Sequence, residues 1–255
     1  MQLFPLPTPL ITTEDNLLDV IIAALENAHL RLEEGDIITI ATKIVSITNK
    51  LLIKKDQITV TEQAKRYAKI TGLSEEFMAI SLEESDEVMG ATKGALLTKR
   101  NNNLMPNAGA DQSNAPDDYI VLLPKNPTLF AHQIREQLEA YYQCKIGVII
   151  GDSRVQPLRR GTSGIALGVS GFVPVIDDRG RTDLYGREMK MTRRAIADNL
   201  MSAAEILTGE VDEQIPFVLI RDAPITLSDE DLTKTMSIPP DECMYFCVFM
   251  GKCKI

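Results

Sequence analysis

Ile146-Gly147-Val148-Ile149-Ile150-Gly151-Asp152-Ser153 is the stretch on which the fold turns. The nearly unbroken apolar run is the length of a strand, and its lack of alternation predicts a strand covered on both faces. It is expected to terminate at Gly151-Asp152-Ser153, so that a carboxylate sits just past a strand's carboxyl end. Ligands collect there in open sheets, and Gly151 would let the backbone approach one closely. Upstream, Ile37-Ile38-Thr39-Ile40-Ala41 follows Gly35-Asp36 and predicts a second buried strand that delivers Thr42, Lys43 and Ser46 beyond its end. Downstream, Pro216 to Ile220 predicts a third, and Tyr119 to Leu123 a fourth.

Helical spacing separates these strands. Thr12 and Thr13 before Glu14 and Asp15 predict a helix start, followed by Leu17, Leu18, Ile21, Ile22 and Leu25. Helical patterns run from about Glu62 to Glu87 with a break near Gly72, and Leu129 to Tyr141 reads as a helix. Ile196, Leu200, Ala203 and Leu207 mark another, ending near Gly209. Such alternation indicates α/β or α+β, with no tandem repeat and no clear linker.

Composition removes several function classes. Of 255 residues 44% are hydrophobic, which excludes disorder as the default, and the formal charge of −9 disfavours nonspecific binding to nucleic acid or anionic lipid. Met1 to Pro7 lacks a secretory pattern and no apolar stretch approaches a membrane span, so a cytoplasmic protein is expected. Cys144, Cys243, Cys247 and Cys253 include no Cys-x-x-Cys pair and are expected to be reduced thiols. The last three lie in or beyond an apolar stretch expected to be a packed tail or dimer contact.

No G-x-x-x-x-G-K-[ST] or G-x-G-x-x-G occurs, so P-loop and Rossmann enzymes are disfavoured. What remains is a set of acids beside glycines or small residues at expected element ends: Asp111 with Asn114, Asp152 with Ser153, and Glu210 after Gly209. Magnesium and manganese take hard oxygen ligands, and phosphate-binding sites often draw a few carboxylates from separate loops. Each acid taken alone is equally an ordinary cap or solvated turn. The segment 101–114, rich in Asn and small residues, is expected to be a long loop or a set of tight turns. Arg159-Arg160-Gly161-Thr162-Ser163-Gly164 offers paired guanidinium groups as a phosphate or carboxylate clamp, or else a solvated basic loop. Gly161, Gly164, Gly168 and Gly171 indicate close backbone packing, and the run Asp177 to Asp183 an exposed, self-paired loop.

The blocks Asn107-Ala108-Gly109-Ala110-Asp111-Gln112-Ser113-Asn114, Asp152-Ser153 with Arg159-Arg160-Gly161, Gly180-Arg181-Thr182-Asp183-Leu184-Tyr185-Gly186-Arg187, Ala197-Asp198 and Gly209-Glu210 occur in this order. Together they resemble the successive motifs of the coenzyme F-420-0:gamma-glutamyl ligase family, from Phe4-Pro5 through the strand at Pro216. The resemblance implies an α+β fold of mixed sheets with flanking helices, in one domain or that domain in two lobes, with a divergent tail at 222–255. An intertwined homodimer is implied as well. It implies a ligase in which GTP phosphorylates the carboxylate of F-420-0 and the amine of L-glutamate displaces phosphate. Metal ligation by Asp111, Asp152, Ser153 and Glu210 is implied, with Mg or Mn as the ion and potassium as a further candidate. Thr8, Pro9, Leu10, Ile11, Thr42, Lys43, Asn114 and the turn from Thr208 to Ile215, including Gly209, Val211 and Asp212, would line the nucleotide. A catalytic role for Arg159 and Arg160 as a clamp comes from the residues alone. Two departures concern the ligands. After Ser46 the family reads Lys-Ala-Glu-Gly-Arg where this chain has Ile47-Thr48-Asn49-Lys50-Leu51, leaving Lys43 and Lys50 as the neighbouring cations. The approach Asn101 to Pro106 is also unusually rich in asparagine. The same chemistry on another carboxylate acceptor, and a nucleotide-binding protein without transfer, are the alternative expectations.

Overall fold

The apolar runs around Ile38, Ile149 and Val218 become adjacent strands of one sheet. A computed structural model describes residues 1–249, which form a mixed α+β structure. In chain order the elements begin with β1 (Gln2–Leu6), α1 (Leu17–Asn27), β2 (Ile37–Ala41), α2 (Thr42–Thr48), β3 (Leu52–Lys54), α3 (Glu62–Thr71) and α4 (Glu75–Glu83). There follow β4 (Glu87–Thr92), β5 (Ala95–Arg100), β6 (Asn103–Pro106), β7 (Tyr119–Val121), α5 (Pro127–Tyr142), β8 (Gly147–Val155) and β9 (Thr162–Ser170). The last are β10 (Val175–Asp177), β11 (Arg193–Ala195), α6 (Ile196–Thr208), β12 (Phe217–Arg221) and α7 (Met244–Phe249). Contacts divide the chain into one unit of residues 1–48 and 125–236 and another of 49–124 and 237–255.

The first unit is built on a five-stranded sheet of order β1-β12-β2-β8-β9, parallel only between β2 and β8. Alternate residues of the central strands serve two cores. Ile38, Ile40, Val148, Ile150, Phe217 and Leu219 pack with α1 and α5, while Ile37, Ile149, Val218 and Ile220 pack with α6. Burial on both faces is what the unbroken apolar runs require. Glycines allow the helices to sit close: Cβ atoms at Gly164 and Gly168 would lie 2.5 Å from the Met201 and Pro127 carbonyl oxygens. A bulge lies between these glycines, because Ile150 pairs with Gly168 and Gly151 with Ala166, leaving Leu167 as the extra residue.

The second unit holds the three-stranded sheet β4-β5-β6, the pair β3-β7, and the core of α3 and α4 around Phe77, Met78, Ile80, Leu96 and Ile120. Thr61 and Ser74 cap α3 and α4, and Gly72, at φ 75°, ends α3.

Four expectations need correction. Asn16 rather than Thr12 or Thr13 caps α1, because Thr12 bonds Asp15 through both its N–H and its hydroxyl and closes a separate turn. The helical pattern ends at Glu83, since Asp86 N–H already bonds Lys99 O and Glu87 enters β4. Segment 101–114 is not all loop: Asn101 and Asn102, at φ 48° and 60°, form a two-residue hairpin turn that starts β6. Finally, β8 does not terminate at Gly151-Asp152-Ser153. Its pairing with β2 ends at Gly151, but pairing with β9 carries the strand on to Val155. The Cys243 region begins α7; Cys253 lies outside the described residues, as do the last residues of the tail.

Candidate functional site

Within the first unit the end of the β2–β8 ladder gathers most of the candidate residues. Thr42 opens α2 directly after β2, and its hydroxyl donates to Asp152 Oδ2 at 2.8 Å. Asp152 Oδ1 accepts the Ser153 N–H at 2.8 Å, and the Ser153 hydroxyl lies 3.5 Å from Glu210 Oε2. These directions follow from strand alternation. Asp152 points to the α2 side, whereas Gly151 and Ser153 face α6, where a Cβ on Gly151 would collide with Met201.

The turn after α6 completes this cluster. Gly209 adopts φ 67°, and Val211 N–H bonds Glu213 Oε2 at 2.8 Å. Thr8 N–H bonds Gln214 O at 2.9 Å, and Ala41 N–H bonds Pro216 O at 3.0 Å. The segment from Thr8 to Ile11, the turn from Thr208 to Ile215, Thr42 and Asp152 therefore adjoin. Leu10 and Val211 are exposed. Lys43 is partly exposed beside Thr42, whereas Ile47 is 5% exposed, so that position of α2 offers no cation. Arg159 and Arg160 are exposed, in the turn between Val155 and Thr162. The turn starts three residues beyond Asp152, about 10 Å along the strand.

Glu205, in the last turn of α6, is the residue that sequence reasoning missed. Burial first, then a hydrogen bond shared with Glu210, the repulsion of that carboxylate, and Asp152 push its carboxyl up to about 7, with Thr162 acting in the opposite direction. Its Oε1 is buried without a hydrogen-bond partner. The available signal was an acid four residues after Met201, on the buried face of an amphipathic helix.

Linkage gives this group a pH dependence. A carboxyl with a raised folded pKa keeps its proton after the unfolded chain has released its own, so stability falls as pH rises from about 4.5 to about 7 and is level above that. In chelator-treated protein, Glu205→Gln should therefore gain urea stability over wild type between about pH 5 and about pH 8. Parallel curves for the two proteins would contradict the assignment.

Asp111 and Asn114 belong to the second unit. Asp111 is clamped through its backbone to Val121, its N–H donating at 3.0 Å and its carbonyl accepting at 2.8 Å. Its carboxylate accepts the N–H groups of Gln112 and Ser113 at 2.6 and 2.9 Å and the Ser113 hydroxyl at 2.7 Å. Just before it, Asn107, Ala108 and Gly109 take φ 52°, 54° and 72° in succession. For the two non-glycine residues this left-handed backbone costs about 1 kcal/mol each.

The donors suit a hard divalent cation. Among the described residues no three His, Cys, Asp or Glu side chains form a cluster able to hold an ion by themselves. Magnesium commonly binds through one or two carboxylates and completes its shell with substrate phosphates and water. Asp152, Ser153 and Glu210 supply oxygen alone, and the orphaned Glu205 Oε1 adds another beside them.

The loop from 178 to 192 is ordered by ion pairs. Asp177 binds Arg179 and Arg193, and Asp178 binds Arg181 and Arg194, which holds both carboxyls below the usual range. Asp177–Arg179 and Asp178–Arg181 agree with a self-paired run, but Asp178 is buried rather than exposed, and both acids also reach Arg193 and Arg194 beyond the run. No described helix is long and apolar enough to cross a membrane.

Comparison with known proteins gives a consistent picture. The model of the family described as F420-0:Gamma-glutamyl ligase matches residues 5–222. The chain is 40% identical over 199 residues to the coenzyme F420:L-glutamate ligase of Methanocaldococcus jannaschii, covering 78% of this chain and 80% of that protein. It is 38% identical to the protein of the same name from Methanococcus maripaludis, covering 90% and 91%, and 37% identical to that of Methanopyrus kandleri, covering 84% and 85%.

Proposed function

The chain belongs to the F420-0:gamma-glutamyl ligase family, and on that premise we propose that it joins the amine of L-glutamate to the carboxylate of F420-0 at the expense of GTP. The carboxylate oxygen takes the γ-phosphoryl group and GDP leaves. The glutamate amine then attacks the activated carbonyl, phosphate departs and the amine gives up its proton as the amide forms. The observation that carries this reading is the adjoining of Thr42, Asp152, Ser153, Glu210 and the turn at Gly209 in a chain that this family's model matches from residue 5 to 222.

A bound Mg or Mn ion would neutralise triphosphate charge and the charge developing in transfer. Asp152, Ser153 and Glu210 are the residues of the first unit assigned to metal, and Asp111, within the second unit, is also assigned as a metal ligand. Thr42 fixes the Asp152 carboxylate through its hydroxyl. Thr8 to Ile11, Lys43, Asn114, Gly209, Val211 and Asp212 are assigned to the nucleotide, and Arg159 and Arg160 to an anionic part of the substrate. Leu158 and Leu184 are fully exposed and Tyr185 and Met191 nearly so, which favours pairing of two copies.

Buried Ile47 favours a second reading, in which the transfer is retained but the carboxylate acceptor differs. The deciding assay follows phosphate release and product mass with GTP, Mn or Mg, L-glutamate and F420-0, omitting each in turn. The first reading expects a mass gain that needs all of them. Release with another carboxylate but not F420-0 supports the second, and bound GTP that is never hydrolysed overturns both in favour of a binding protein.

A further inference from the structure

The second unit invests several buried polar groups in three successive residues of left-handed backbone, two of them not glycine. Asn107 Oδ1 accepts the Leu96 N–H at 2.9 Å, and the Thr98 hydroxyl accepts the Ala108 N–H at 2.8 Å while donating to Met105 O at 2.8 Å. The Arg100 guanidinium donates to Ala108 O at 2.9 Å and to Leu123 O at 3.2 Å, and pairs with Glu84. Thr98 is fully buried and Arg100 is 4% exposed. Gly109 closes the run at φ 72°, with space for a Cβ already limited by Leu123 and Met105.

A strand can leave its sheet through an ordinary turn, and backbone held in sparsely populated conformations persists only where its surroundings enforce it, often at functional sites. Here it leads within two residues to Asp111, whose own backbone is fixed to Val121 on both sides. Side chains behind a ligand commonly fix its direction and tune the affinity of the ion it holds.

We propose that Thr98, Asn107 and Arg100 are positioning residues for Asp111, holding the Asn107–Gly109 turn so that the Asp111 carboxylate is presented to a divalent cation that accompanies a nucleoside triphosphate. The inference rests on the assignment of Asp111 as a metal ligand. None of the three touches the cation; each acts through the backbone. Thr98→Val removes the hydroxyl at constant shape, Thr98→Ser keeps it, and Asn107→Ala removes the other acceptor at a partly exposed position.

The test is Mn binding by the full chain with GTP present, read from the electron paramagnetic resonance of the free ion, alongside thermal melting. Thr98→Val and Asn107→Ala are expected to weaken Mn binding by about 10-fold or more, with Thr98→Ser within about twofold of wild type. If Thr98→Val does not fold, Asn107→Ala decides. Folded variants with wild-type Mn binding overturn the positioning role, provided that Asp111→Asn has lost affinity. Should Asp111→Asn itself bind Mn as tightly as wild type, the ligand assignment fails, and the positioning role fails with it.

Discussion

Asp152→Asn is expected to lower turnover by about three orders of magnitude while the protein stays folded. The substitution is nearly isosteric. Its amide oxygen can still accept the Ser153 N–H, and the Thr42 hydroxyl can rotate to accept from the amide nitrogen where it now donates to Oδ2. What is lost is the charge. In the metal-free protein that loss costs nothing in packing and relieves repulsion on Glu205, whose carboxyl feels Asp152. On the proposed assignment, with nucleotide present it would remove an anionic oxygen from a cation that has few protein carboxylates to choose from, and with it several kcal/mol of transition-state stabilisation. Turnover with saturating Mn and GTP, measured beside a thermal melt, checks both halves. Turnover within about tenfold of wild type would remove Asp152 from the metal site.

Gly168→Ala should be strongly destabilising. An added Cβ would lie 2.5 Å from Pro127 O and from Thr128 N, in the first turn of α5. A side chain in such a position can change rotamer, but backbone at a helix start can only move, and α5 carries Ala131, Ile134 and Leu138 into the core. A loss of about 3 kcal/mol or more in urea is expected. Gly90→Ala is the control. It meets nothing within 4 Å and needs no positive φ, so it should stay within about 0.5 kcal/mol. Equal losses in both would mean that this contact does not set the cost, since restricting the unfolded chain acts in the stabilising direction.

The parts of the fold that one face or one spacing determines were legible in the sequence. Mostly apolar runs such as Ile37–Ala41 and Pro216 to Ile220 are strands between two helical layers, and the spaced glycines of β9 mark close approaches to α5 and α6. Boundaries set by competing hydrogen bonds were less legible. Asp15 could cap a helix or close a turn on Thr12, and only the folded chain shows the second. The phasing of α6 shows the same limit. Ala203 fits the apolar spacing, yet the buried face is Ala197, Leu200, Met201 and Ala204. Placing Met201 on that face also puts Glu205 inside, where its isolated position among apolar neighbours gave no hint of a partner five residues on.

The family resemblance, not spacing, implied a shared ligand region for residues far apart in sequence; Thr42 and Asp152, and Thr8 and the turn before Pro216, lie together in the fold. Spacing could not have done so, because those contacts are made across a sheet whose strand order departs from sequence order.

The unpaired Leu167 makes β9 a strand of two senses. Four residues separate Gly164 from Gly168, an even count that would put both on one side of a regular strand, yet one meets α6 and the other α5. The stretch from Thr162 to Gly164 thus adjoins Glu205 and Ser153, while Ala166 and Val169, on either side of the extra residue, both enter the core against α6. Removing that single residue would restore uniform parity, and one half of the hairpin would then have to present its opposite side. Either the interior would lose its lining or the carboxylates would lose their neighbour at Thr162, so an apparent irregularity in the ladder is the joint that lets one strand serve both.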